Sequence, residues 1–136
     1  EGLQPIEDQS ARIREARAAA DAIVKGVYIN ARTDMFLQSD ASKHSDAMVD
    51  EALRRADAYA KAGADGLFVP GLADPAKIAR ICENSPLPVN IMGRPGVTKP
   101  KELARLGVAR ISYGPFPYRL AMDALKCAAS EAMQGE

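Results

Sequence analysis

The sequence has 136 residues, 47% of them hydrophobic and 26% charged, which is typical of one globular domain with its own core. Its 18 basic and 18 acidic side chains leave a formal net charge of zero, so we expect neither a nucleic-acid nor a membrane partner. No apolar run reaches membrane-spanning length, and no signal-peptide pattern opens the sequence. Cys82 and Cys127 lie far apart in apolar helical patterns, which favours buried free thiols in a reducing, cytoplasmic compartment.

Helix and strand patterns alternate along the chain. Five segments carry apolar residues at helical spacing, and we predict helices over residues 5–22, 46–62, 75–82, 100–106 and 118–133. Four short segments rich in β-forming residues predict strands over 27–31, 66–69 and 88–92 and within 107–114. Segments 60–69 and 104–113 resemble each other, since each contains a helix end, a glycine and a strand. Such repetition predicts an α/β fold with a parallel sheet.

Four strand–helix units behind one leading helix fit two parallel architectures. One is a small open, doubly wound sheet. The other is half of an eight-stranded barrel, since a complete barrel takes about 250 residues. Periodicity leaves this choice open, but ligands bind at the carboxyl ends of the strands in both folds.

Polar side chains occur at the ends of three predicted strands. Asn30, Arg32 and Asp34 alternate with other residues, so they point to one side while the chain is extended. Asn90 and Ser112 lie in the third and fourth strands. The planar guanidinium of Arg32 matches a carboxylate or a phosphate bidentately. Spacing alone leaves open whether Arg32 binds a ligand or pairs with Asp34 to hold a loop.

Other polar segments are expected to be structural. His44 lies in a polar loop, where we expect it to be solvated. Residues 93–96 (GRPG) and 113–117 (YGPFP) follow the last two strands, but their prolines lack N–H donors, so we expect turns rather than phosphate sites. Glu7 and Asp8 are expected in the first turn of a helix, where the helix dipole favours acids, rather than at a metal.

Four stretches closely resemble the isocitrate lyase/phosphoenolpyruvate mutase family. They are INARTDMFL, EALRRADAYAKAGADGLFVPGL, PLPVNIM and LGVARISYG, and the resemblance extends from about Leu3 to Ala128. Within the family, the sequence is most similar to the short bacterial members labelled carboxyvinyl-carboxyphosphonate phosphorylmutase or methylisocitrate-lyase-like. The resemblance implies the C-terminal half of a (β/α)8 TIM barrel. Residues 1–136 would then be one domain with strands and helices 5 to 8 of the barrel, preceded by the fourth helix.

The resemblance also implies a reaction class. Family members bind Mg²⁺ and make or break a C–C or P–C bond of small α-keto or α-hydroxy carboxylates beside an enolate. Arg32 matches the arginine that binds the substrate carboxylate, and Asn30 and Asp34 belong to the same motif. With Asn90 and Ser112 they form the expected substrate-binding set, and no catalytic residue is assigned. The Mg²⁺ ligands are expected in the first half of the barrel, so we expect the chain alone to be inactive.

Two strand ends depart from the pattern of the family's lyases. Pro70 stands where these lyases have a glutamate, and Met92 is the nearest match to an asparagine. Both departures argue against a strict isocitrate or methylisocitrate lyase and leave the substrate open. Two other functions remain: a non-catalytic, self-associating α/β half-barrel, and a phosphate-binding TIM-barrel enzyme of another family.

A half-barrel would have two unpaired strand edges and one uncovered sheet face. We expect Val89, Ile91 or their neighbours to make that face apolar, which favours association. In the resembling family a C-terminal helix is exchanged between subunits, and the predicted last helix carries Leu120 and Leu125. We therefore expect a homo-oligomer, or a first half of the barrel that covers this one.

Overall fold

Four short parallel strands form the centre of the computed structural model, which describes residues 2–93 and 99–135. In chain order the elements are α1 (Ile6–Ile23), β1 (Asn30–Arg32), α2 (Asp46–Lys61), β2 (Gly66–Val69), α3 (Pro75–Asn84), β3 (Val89–Met92), α4 (Pro100–Arg105), β4 (Arg110–Ser112) and α5 (Phe116–Gln134). A short 3₁₀ helix, Ala41–Lys43, lies between β1 and α2. The strands pair in the order β1-β2-β3-β4, and all three pairs are parallel. The predicted α/β fold with a parallel sheet is confirmed.

Side-chain caps fix where two of the helices begin. The Ser45 hydroxyl accepts the Met48 N–H at the start of α2, and the Asp74 carboxylate accepts the Lys77 N–H at 3.0 Å at the start of α3. Pro75 occupies the first turn of α3, where its missing N–H costs nothing. Glu7 and Asp8 lie in the first turn of α1, as predicted.

One face of the sheet packs against the helices and forms the core. Ala31, Leu67, Val69, Val89 and Ile91 point to this face and are all buried. The helices cover them with apolar side chains that are also buried, namely Val49, Ala52, Ala56, Tyr59, Ile78 and Ile81. This burial is the main force that holds the strand–helix units together.

The opposite face of the sheet carries both polar and apolar side chains, whereas we expected an apolar face. Val89 and Ile91 face the helices, so the exposed face carries their neighbours instead. Because side chains alternate along a strand and the strands are in register, this inner face is formed by Asn30, Arg32, Phe68, Asn90, Met92, Arg110 and Ser112. The carboxyl ends of the strands therefore present a mixed polar and aromatic surface.

The first strand is shorter than predicted. Pairing with β2 begins at Asn30, opposite Gly66, whereas Val27 and Tyr28 are exposed. Side chains replace the missing ladder bonds: Arg17 Nη1 donates to the Val27 carbonyl at 2.9 Å, and the Ile29 N–H donates to Asp65 Oδ2 at 2.7 Å. Residues 27–29 are thus held by α1 and by the loop before β2.

The last helix has no buried residue. Its exposed apolar side chains include Leu120, Leu125 and Met133, the last with 89% of its surface accessible. Among the described residues, β1 and β4 each pair with a strand on one side only. No described helix is long and apolar enough to cross a membrane.

Candidate functional site

Arg32 and Asp34 form an ion pair at the carboxyl end of β1. Arg32 Nε donates to Asp34 Oδ1, and Arg32 Nη2 donates to Asp34 Oδ2 at 3.2 Å. Arg32 therefore does pair with Asp34, which is one of the two possibilities that their spacing left open. Both side chains are partly solvated, at 48% and 33% exposure, so the pair contributes little to stability, about 0 to 1 kcal/mol. Its main effect is on the direction of the guanidinium.

The ring of Phe68 lies beside the same guanidinium. The Cζ atom of Arg32 is 5.6 Å from the ring centroid, within the range of a cation–π contact. Phe68 pairs with Arg32 in the register of β1 and β2, and the two side chains share the inner face. Sequence reasoning considered only polar strand ends and missed Phe68, although its parity within β2 was a usable signal.

Part of the Arg32 guanidinium has no partner within residues 2–93 and 99–135. Of its five N–H groups, one on Nε and one on Nη2 bind Asp34. The two on Nη1 and the second on Nη2 make no hydrogen bond to another described residue. The terminal edge of the guanidinium, formed by Nη1 and Nη2, can therefore bind both oxygens of a carboxylate side by side.

A cavity of about 680 Å³ lies over the carboxyl ends of the strands. Arg32 and Arg110 supply its basic groups, Phe68 and Met92 supply apolar surface, and Ser112 supplies a hydroxyl. None of the described residues that line it is an aspartate or a glutamate. The chemistry of this lining favours a small anion with an apolar or planar portion.

Asn90, Ser112 and Arg110 form a second hydrogen-bonded group on the inner face. Ser112 Oγ accepts from Asn90 Nδ2 at 3.0 Å and from Arg110 Nη1 at 2.7 Å. Since both bonds use the oxygen as acceptor, the Ser112 hydroxyl hydrogen remains available to donate. Arg110 was not identified from the sequence, because it precedes the strand end, although it lies within the LGVARISYG stretch.

Two inner-face amides are buried with an unused acceptor. Asn90 is 2% exposed, and its Oδ1 atom has no hydrogen-bond partner in the described part of the chain. The same is true of Asn30 Oδ1. Unpaired buried acceptors are costly and uncommon. Of the five side chains predicted to bind substrate, Arg32 and Asp34 form one contact pair and Asn90 and Ser112 form another, whereas Asn30 begins β1 opposite Gly66, at the amino end of the strands.

The remaining candidates have structural surroundings. His44 is half-buried rather than solvated, because its Nε2 lies 3.0 Å from the Phe36 carbonyl and its ring packs edge-on against Phe36. Burial raises the pKa of the half-buried Cys82 thiol, whereas Cys127 is exposed on α5, contrary to expectation. Of the predicted turn at 93–96, residues 94–96 lie outside the described residues.

The described side chains do not assemble a metal site. Within residues 2–93 and 99–135 no group of three or more His, Cys, Asp or Glu side chains is placed to hold a metal ion. Asp34 is already paired with Arg32, and Glu7 and Asp8 are exposed acids in the first turn of α1. These acids do not fit the oxygen cage that Mg²⁺ requires.

Comparison with known proteins identifies the family. The family model for phosphoenolpyruvate phosphomutase matches residues 1–133. An uncharacterized protein of Mycobacterium tuberculosis is 39% identical over 138 residues, which cover 96% of this chain and 51% of the relative. An oxaloacetate decarboxylase of Ectopseudomonas mendocina is 35% identical over 99 residues, which cover 71% of this chain and 34% of the enzyme.

A solved structure supports the same assignment. The crystal structure of a proposed phosphonomutase from Burkholderia cenocepacia J2315 matches with a TM-score of 0.89 and 47% sequence identity, and the match covers 98% of this chain and 52% of that one. The chain thus spans about half the length of these first relatives. With the parallel order of the four strands, this coverage confirms the predicted half-barrel. The chain belongs to the phosphoenolpyruvate phosphomutase family.

Proposed function

We propose that this chain is the substrate-binding half of a lyase or phosphonomutase-type enzyme, and that Arg32 binds the carboxylate of a small α-keto or α-hydroxy acid. One observation carries the proposal. The guanidinium is held on one edge by Asp34, its terminal edge has no partner among the described residues, and Arg32 is one of the residues that line the 680 Å³ cavity, whose described lining has no acid. A fork that is fixed and unoccupied matches a carboxylate better than a mobile point charge does.

The inner face supplies orientation rather than bond-breaking groups. Arg32 would fix the carboxylate, and the Ser112 hydroxyl, which lines the same cavity, offers a polar contact for the rest of the molecule. Holding a reacting molecule in one geometry can lower a barrier by several kcal/mol, by order of magnitude. The chain's own contribution to the reaction is therefore binding and alignment.

Two relatives support this substrate class. One relative is named an oxaloacetate decarboxylase. Oxaloacetate is an α-keto carboxylate, and its decarboxylation breaks the bond between the distal carboxylate and the carbon next to the keto carbon. A phosphonomutase, as the structural relative is named, acts on a P–C bond. We infer that a substrate of this class is held by the carboxylate attached to its keto carbon, one carbon away from the carbon whose bond breaks. The family match also sets aside the third alternative, a barrel enzyme of another family.

We propose that the enzyme uses Mg²⁺ as a cofactor and that the ligands of the ion lie outside the described residues. The described acids do not fit a magnesium cage, so we derive no step through the ion. The proposal for residues 1–136 concerns only the carboxylate and the groups that hold it.

Substitution of Arg32 tests the proposal. In the natural protein that contains residues 1–136, we expect Arg32→Lys to lower kcat/KM for a carboxylate substrate at least about tenfold, or roughly 1.4 kcal/mol. A lysine keeps the charge but replaces the bidentate fork by a single ammonium. Arg54→Lys is the matched control, because Arg54 is 71% exposed on α2 and pairs with Glu51. Unchanged kinetics in Arg32→Lys would refute the assignment.

A non-catalytic, self-associating role is the second candidate, and α5 is the observation that favours it. This helix buries none of its side chains in the described structure and exposes several large apolar ones. We propose that the chain forms a homo-oligomer, whichever function holds. Catalytic activity of the natural protein on any α-keto or α-hydroxy acid would exclude the purely structural role.

A further inference from the structure

We propose that Asp34 and Phe68 are positioning residues, which fix the plane and direction of the Arg32 guanidinium so that its terminal edge receives the substrate carboxylate. This inference rests on the proposed function of Arg32. It changes the role of Asp34, which the sequence placed among the substrate-binding residues, and it adds Phe68, which the sequence did not indicate.

The contacts of Asp34 leave one binding mode for a carboxylate. A guanidinium offers a side edge, formed by Nε and Nη2, and a terminal edge, formed by Nη1 and Nη2. Asp34 occupies the side edge with both of its oxygens. The terminal edge has no partner within residues 2–93 and 99–135, so an incoming carboxylate binds there without displacing Asp34.

The backbone around Asp34 is rigid enough to hold this geometry. The Thr33 N–H donates to the Phe68 carbonyl at 3.0 Å, which extends the β1–β2 ladder by one residue past Arg32. The Asp34 carbonyl accepts the Gln38 N–H at 2.9 Å, and the intervening Phe36 is 1% exposed. Both sides of Asp34 are therefore anchored, and its carboxylate stays beside Arg32 when the cavity is empty.

Phe68 restrains Arg32 from a different direction. Its ring lies 5.6 Å from the guanidinium carbon and lines the 680 Å³ cavity, whereas Asp34 lines a separate polar cavity of about 330 Å³. Arg32 lines both cavities. The guanidinium thus has two neighbours, the Asp34 carboxylate along its side edge and the Phe68 ring near its carbon, and both limit rotation of the long side chain.

The test measures binding of pyruvate, the simplest α-keto carboxylate, to the natural protein by calorimetry. We expect Asp34→Asn and Phe68→Leu each to weaken pyruvate binding by roughly five- to tenfold, since each frees one side of the guanidinium. Phe68→Tyr should retain wild-type binding, because it keeps the ring. Asp40→Asn is the control for Asp34→Asn: Asp40 lies in the same loop, where it accepts the Ser42 N–H at 2.9 Å.

A double-substitution cycle separates positioning from a general structural effect. If Asp34 acts through Arg32, then Asp34→Asn should change pyruvate binding less than about twofold once Arg32 is lysine. In ¹⁵N NMR spectra, the Nε–H signal of Arg32 should exchange faster in Asp34→Asn, while the backbone amide signals outside the loop stay in place.

The outcomes distinguish this inference from the proposed function. Loss of binding in Arg32→Lys with wild-type or tighter binding in Asp34→Asn would overturn the positioning role and leave the carboxylate site intact. The positioning role would also be overturned if Asp34→Asn weakened pyruvate binding equally in the wild-type protein and in Arg32→Lys. Wild-type binding in Arg32→Lys would instead refute the proposed function itself.

Discussion

Replacement of Gly71 by alanine should destabilise the protein because of one close backbone contact. Gly71 follows β2, and its φ is +89°, a region that favours glycine. A Cβ atom at this position would lie 2.7 Å from the backbone N and Cα atoms of Leu37. Such a distance requires the loop after β1 to move, and this loop carries Asp34.

Gly26 provides a matched control that separates strain from crowding. Its φ is +85°, nearly the same as that of Gly71, but an added Cβ would meet no atom within 4 Å. A left-handed alanine costs about 1 kcal/mol, and forced displacement of packed backbone adds roughly 1–3 kcal/mol. We therefore expect a loss of about 1 kcal/mol in Gly26→Ala and about 2–4 kcal/mol in Gly71→Ala.

Urea unfolding followed by circular dichroism measures both free energies. The difference between the two variants isolates the contact with Leu37, since the backbone strain is common to both. We also expect Gly71→Ala to weaken pyruvate binding, because the loop that holds Asp34 shifts. Equal destabilisation in the two variants, within about 0.5 kcal/mol, would show that the Leu37 contact adds nothing to the backbone strain.

Three further predictions concern a helix cap, the metal and the assembly. Asp74→Ala should lower the free energy of unfolding by about 1 kcal/mol at pH 7. The Lys77 backbone N–H lowers the pKa of Asp74, so the effect of the substitution should shrink as the pH falls through that pKa. Unfolding at several pH values will check this. Residues 1–136 alone should bind Mg²⁺ no better than millimolar and show no lyase activity, and a micromolar site in a calorimetric titration would contradict this. Light scattering should show that these residues are not monomeric, and a stable, compact monomer at tens of micromolar would be evidence against a self-associating half-barrel.

Sequence patterns predicted the strand–helix order because each signal was local. Asp74 and Pro75 mark a helix start by capping and by a missing donor, and apolar residues at helical spacing mark the buried sides of α2 and α3. The positions of β2, β3 and β4 followed from their short apolar runs. These features need no knowledge of which element packs against which.

Features that depend on distant residues were not predictable in the same way. The first strand begins at Asn30 because Arg17 and Asp65, from other elements, bind the backbone before it. Val89 and Ile91 point to the one face of the sheet that the helices cover. The alternation of side chains along a strand shows which residues share a face, but it does not show which face the helices cover. Helix α5 extends beyond the predicted range 118–133 by two residues at its start and by one residue at its end.

The candidate site shows the same division. Arg32, Asn90 and Ser112 were proposed from the sequence because polar groups near the ends of parallel strands are unusual, and their role in substrate binding stays a prediction. Phe68 was missed because its role depends on the register that places it opposite Arg32. Arg110 was missed because its contact with Ser112 is visible only once the side chain has a direction.

A crystal structure of the natural protein with a bound α-keto acid would show directly whether Arg32 holds the carboxylate. We expect both carboxylate oxygens to lie within hydrogen-bond distance of Arg32 Nη1 and Nη2, with Asp34 still bound to the side edge of the guanidinium. A carboxylate that binds elsewhere, while the terminal edge of Arg32 stays unoccupied, would contradict this expectation.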